Sequence, residues 1–134
     1  MAVRVVRLGE PRAKSDGVRL GTVRRPPRGV SKPEIAKRFY DVWLPELAPS
    51  EELLRWARAE PLTAPRWKSF TRRYLKEMGD SRARHLIDAL AALSHGADFT
   101  VGCYCEDVNR CHRSLLATLL AKAGADLTHD GGSR

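Results

Sequence analysis

This chain predicts a single α/β domain, a small and mainly parallel sheet of about three to four strands flanked by helices. Three observations carry that expectation. Short β-branched runs bounded by glycine or proline alternate with longer stretches of helical periodicity. A length of 134 residues is enough for one hydrophobic core and too little for two ordinary ones. Apolar residues make up 43% of the chain and charged residues 30%, a balance that favours a globular protein over a disordered one.

The elements follow in order. Val3 to Leu8 reads as a first strand, stopped by Gly9 and Pro11. Pro11 to Gly17 is a loop, and Val18 to Val23 a second strand that Gly21 weakens. Arg24-Arg25-Pro26-Pro27-Arg28-Gly29 leaves the sheet as a stiff basic loop, because two prolines remove ladder donors. Ser31 and Glu34 fit a capping box, followed by a helix with Ile35, Phe39 and Val42 on one side, stopping before Pro45. A second helix starts at Ser50 and buries Leu53, Leu54, Trp56 and Ala57. A third runs from Pro65 to Met78 with Trp67, Phe70 and Tyr74 in its stripe. A fourth, Ser81 to Ser94, buries Leu86, Ile87, Leu90 and Leu93. Phe99 to Cys103 is the last strand and Cys111 to Ala123 the last helix. The expected division is a domain over residues 1–124 and a flexible C-terminal tail over 125–134.

Residues 1–38 hold eleven Lys or Arg against three acids, whereas residues 39–134 hold thirteen of each. The net charge of +8 therefore belongs entirely to the N-terminal part. A localised basic surface suits an anionic ligand or nucleotide, with nucleic acid as a further partner, and solubility alone as the plain alternative. No apolar run spans a bilayer and no secretory h-region is present, so no membrane partner is expected and the expected location is cytoplasmic. Nothing in the sequence calls for a cofactor or sets the oligomeric state.

The chemistry concentrates between Cys103 and Ser114, a run that contains all three cysteines. It lies between a strand's end and a helix's start, where open α/β folds bind ligands. Three readings compete. In the first, Cys111, His112 and Arg113 open a helix whose backbone NH groups and dipole attract phosphate or carboxylate, with Arg113 as a clamp and Ser114 in the first turn. A parallel second strand would bring Arg24, Arg25 and Arg28 across a cleft from it. Cys105 or Cys111 is then the thiolate, and Glu106 or His112 moves protons. In the second, Cys105, Cys111 and His112 bind a metal, though their spacing is not that of the common zinc knuckles. In the third, the sulfurs are small core hydrophobes, most clearly Cys103. A Cys-x5-Arg phosphatase loop is absent: Arg110 falls one residue short of Cys105's position, and Ala117 stands where Cys111 would need arginine.

Thr22 to Gly29, Trp43-Leu44, Leu47-Ala48-Pro49-Ser50, Cys103-Tyr104-Cys105-Glu106 and Cys111-His112-Arg113-Ser114 together resemble domain of unknown function family 488, over roughly Val3 to Ala123. The resemblance implies a small cytoplasmic α/β domain. By motif match it marks Arg24, Arg25, Cys105, Glu106, Cys111, His112 and Arg113 as site candidates. The length and the Leu-Ala-Pro-Ser stretch resemble a short branch of that family, in which the Cys-His-Arg element is commonly absent; here it is present.

Overall fold

A computed structural model describes residues 2–104 and 110–128. Its five strands are β1 (Val3–Arg7), β2 (Val18–Gly21), β3 (Val42–Trp43), β4 (Phe99–Cys103) and β5 (Leu127–Thr128). They form one sheet, in the order β3-β2-β4-β1-β5, and every pairing is parallel. Helices α1 (Lys32–Arg38), α2 (Glu51–Ala59), α3 (Ala64–Met78), α4 (Ser81–Leu93) and α5 (His112–Lys122) complete the described α/β domain. None of them is long and apolar enough to cross a membrane.

β4 lies at the centre of the sheet and is buried at all five positions, as expected for a continuous apolar run in a parallel sheet. The main core gathers Val3, Phe99 and Val101 from the sheet with Leu53 of α2, Phe70 and Tyr74 of α3, Ile87 and Leu90 of α4, and Leu116 and Leu120 of α5. A second, smaller cluster plugs the carboxyl edge of the sheet. It consists of Leu8, Val23, Tyr40, Cys103 and Cys111, with Ile35 of α1 and Phe39, just past its end, packed against it.

The sheet has more strands than expected, because β3 and β5 are two-residue elements too short for periodicity to reveal. Val42, expected on a helix face, is strand instead. α1 ends at Arg38, and the amides of Asp41 and Leu44 then bond to the carbonyls of Arg19 and Gly21, drawing the chain onto the edge of β2. Residues 125–128, expected in a flexible tail, are instead tied to β1: Val3 N donates to Asp126 O, and Leu127 pairs with Val3. Gly21 does not weaken β2; a Cβ there would sit 2.4 Å from the Tyr40 ring, so only glycine lets that ring close over the strand.

The caps differ in kind. Ser50 caps α2 through its hydroxyl, which accepts from Leu53 N, whereas Ser31 starts α1 without a side-chain cap bond. The reciprocal box with Glu34 does not form. Leu93, expected in the stripe of α4, is 57% exposed, and Ala83 and Ala91 fill that face instead. The loop before β2 contains a buried charge cluster that periodicity does not signal. Asp16, 2% exposed, pairs with Arg4 and Arg19 and accepts from Ala13 N.

Candidate functional site

β2 and β4 are parallel neighbours with Gly21 opposite Gly102, so their carboxyl ends leave the sheet side by side. Thr22 fastens the exit, its amide and its hydroxyl both donating to Gly102 O at 3.0 and 2.9 Å. Beyond it the arginine loop and the end of β4 enclose a cleft of about 130 Å³. Val23, Arg24 and Arg25 form one wall, Pro49, Leu54 and Arg58 the other, with Cys103, Tyr104 and His112 between them. The cleft widens into an outer cavity of about 480 Å³, which shares Arg24, Arg25, Leu54 and Arg58 and adds Glu51, Arg55 and Ala59. Four arginines thus stand around a single mouth.

Inside, Cys103 Sγ lies 2.6 Å from Cys111 Sγ, and Cys111 Sγ lies 3.8 Å from His112 Nδ1. His112 Nε2 lies 2.6 Å from the Thr22 carbonyl oxygen. A carbonyl only accepts, so Nε2 carries the proton and donates it. Nδ1, the other ring nitrogen, faces the Cys111 sulfur. A base held in one tautomer by a third group is the arrangement that activates a nucleophile. The Tyr74 ring packs beside the imidazole at 5.7 Å, and its hydroxyl donates to Leu47 O. Burial, reinforced by the neighbouring Cys111 and Cys103, pushes the Tyr74 hydroxyl well above its ordinary range, so it remains a neutral donor.

The sequence-selected residues separate in space. Arg24, Arg25 and His112 meet at the cleft, with Cys111 directly behind. Arg24 is half-buried and already committed: its guanidinium donates to the carbonyls of Pro45, Ala48 and Pro49, shaping the wall. Arg25 pairs with Glu51 at the surface, where such pairs are worth about 0–1 kcal/mol and an incoming anion can compete. Arg28 is exposed and lines neither cavity. Ser114 donates its hydroxyl to Cys111 O as part of the first turn of α5. Arg113 is not at the cleft surface. It is 3% exposed, and its Nε and Nη1 have no hydrogen-bond partner among the described residues. Cys105 and Glu106 lie outside the described residues.

The Cys103, Cys111 and His112 ligand atoms lie within 4.8 Å of one another, so a metal has to be considered. The distance between the sulfurs argues against a shared ion. With metal–sulfur bonds of about 2.3 Å, sulfurs this close would subtend about 70° at the metal, far from tetrahedral.

A family model described as the Active DUF488-N3 subclade matches residues 3–124, covering both walls of the cleft and the thiol–imidazole corner. The chain belongs to the DUF488 family. Uncharacterised proteins of Mycobacterium bovis (Mb3100c) and Mycobacterium tuberculosis (Rv3073c) are each 32% identical to it over 118 residues, covering 88% of this chain and 92% of theirs. No solved structure matches it significantly.

Three residues of this DUF488 cleft escaped the reading of the sequence. Cys103 reads from the sequence as a core residue, and it is 1% exposed, yet it also lines the cleft. Arg55 and Arg58 sit one turn apart on α2, exposed, beside Leu54. Their spacing was visible in the sequence, but it is also that of any solvated helix face. Only the packing of α2 over the carboxyl edge of the sheet makes it one side of a site.

Proposed function

We propose that the cleft binds a small phosphate-bearing ligand of nucleotide size and presents it to a thiol. The observation that carries this reading is the joining of a four-arginine mouth to a narrow recess ending in sulfur and imidazole. The outer cavity falls in the ~300–1,000 Å³ range usual for small-molecule sites. Arg25, Arg55 and Arg58 hold the anionic group, the recess takes a small part of the ligand, and Arg24 keeps the wall in shape. Arg113 adds buried positive charge at the start of α5, which an anion there would compensate. His112 stands beside Cys111 Sγ, where it can take that thiol's proton. Cys111 and Cys103 are its structural neighbours, and Cys105 and Glu106 enter the proposal from the sequence alone.

Binding of nucleic acid through the N-terminal basic residues has less to support it. Arg4 and Arg19 are spent on Asp16, Arg12 on Asp41, Arg7 on Tyr104 O and Arg24 on three carbonyls. These five of the eleven basic residues in that part are therefore already engaged within the protein.

Calorimetric titration of the reduced protein with a nucleoside monophosphate tests the proposal. Arg58→Ala should weaken binding about tenfold to a hundredfold, the worth of a charge-assisted hydrogen bond at ~1.5–3 kcal/mol. An absence of heat, or affinity indifferent to Arg58→Ala, would reject it. An oligonucleotide that binds instead, with the same affinity in that variant, would favour the polyanion module.

A further inference from the structure

We propose that Cys103 and Cys111 are a redox pair that closes into an intramolecular disulfide when a hydroperoxide enters the cleft. The two thiols come from different elements. Cys103 ends β4, and Cys111 is the residue immediately before α5. Parallel sheet geometry and helix packing bring their sulfurs to 2.6 Å, inside ordinary sulfur contact, while each side chain is 1% exposed. Their roles differ by position. Cys103 borders the 130 Å³ recess, which admits a molecule as small as hydrogen peroxide, whereas Cys111 does not line it. Cys103 is therefore the sulfur that meets the oxidant and Cys111 the one that resolves it.

The chemistry balances with a hydroperoxide as the only co-reactant. The Cys103 sulfur attacks the terminal peroxide oxygen while its own proton passes to the departing oxygen. The O–O bond breaks, leaving a sulfenic acid, and the departing oxygen leaves as water or alcohol. The Cys111 sulfur then attacks the sulfenic sulfur. Its proton passes to His112 Nδ1, the S–O bond breaks, and hydroxide leaves as water by taking that proton. Two thiols have lost two electrons and two protons, and the peroxide bond has been reduced. His112 suits this task because the Thr22 carbonyl fixes its proton on the far nitrogen. A dithiol reverses the product by exchange, as expected of a transient disulfide in a reducing compartment.

This inference goes beyond the ligand proposal and does not depend on it. The full chain is reduced, desalted, treated with one equivalent of hydrogen peroxide, blocked with N-ethylmaleimide and mapped by peptide mass spectrometry. The expected product links Cys103 to Cys111, leaves Cys105 alkylated and is undone by dithiothreitol. Cys111→Ser should stall at a Cys103 sulfenic acid that dimedone traps, and Cys103→Ser should leave Cys111 unoxidised. The oxidation is read on the unaltered chain with no nucleotide present, which separates failure of this proposal from failure of the ligand site. A linkage through Cys105, or both thiols still alkylated after peroxide, would overturn it. Mapping of the unaltered chain decides the matter even if a variant fails to fold.

Discussion

Asp16 shows how a single carboxylate can organise the amino-terminal half. It is buried between Arg4 and Arg19, takes the Ala13 amide, and its backbone carbonyl accepts from Thr100 on β4. Removing it takes the carboxylate away from the fully buried Arg19 and from the partly buried Arg4. Asp16→Ala should cost about 3–5 kcal/mol, seen as a lower urea midpoint. Arg24 works similarly at the cleft wall, where one planar fork serves the carbonyls of Pro45, Ala48 and Pro49. Arg24→Lys keeps the charge but not that fork. It should lower the melting temperature and weaken phosphate-ligand binding together, measured by thermal unfolding and titration. Equal stability in the lysine variant would mean that charge alone matters at this position.

At the level of elements, β2 is held by what packs over it. The Tyr40 ring occupies the space a Gly21 side chain would need, so Gly21→Ala must move the ring or the strand. A cost of about 1–3 kcal/mol is expected from such overpacking. Chemical denaturation measures it, and faster amide exchange in β2 and β3 would locate it. Gly17 is more constrained still: its φ is +59°, and a Cβ would fall 2.0 Å from Asp98 O. α2 matters in another way. Its buried face carries Leu53 and Ala57, and its outer face sets Arg55 and Arg58 over the cleft. One short helix thus couples the core to the ligand mouth.

Across the whole molecule, pH acts most clearly on the alkaline side. All three tyrosines, Tyr40, Tyr74 and Tyr104, are held above the ordinary value of 10.0, in each case first by burial. Near that value the unfolded chain gives up tyrosine protons that the folded chain retains. Stability is therefore fully present below about pH 10 and falls as pH rises beyond it. Tyrosinate absorbance should appear together with loss of circular dichroism, not before it. Early tyrosinate in a folded protein would contradict this. Asp41 acts in the opposite direction. Burial works against its charge, but the Arg19 amide and the Arg12 guanidinium outweigh it and hold the carboxyl below the ordinary value. Its contribution is present above the unfolded-state value and lost as pH falls toward the folded one.

The amino-acid order determined whatever depends on neighbours along the chain: the α/β class, the long helices α2 to α5, the buried run of β4, and the crowding of reactive side chains into one loop-to-helix corner. Periodicity and capping are local, so they can be read without coordinates. Tertiary structure decided what depends on elements remote in sequence. It paired β2 with β4, and so brought the arginine loop to the imidazole. It turned Val42 and Leu127 into strand by offering them free sheet edges. It laid α2 over the cleft, moved Arg113 inside, and brought Cys103 against Cys111. None of these follows from spacing, because each is set by which surfaces meet when the apolar faces leave water, and that is a property of the packed whole.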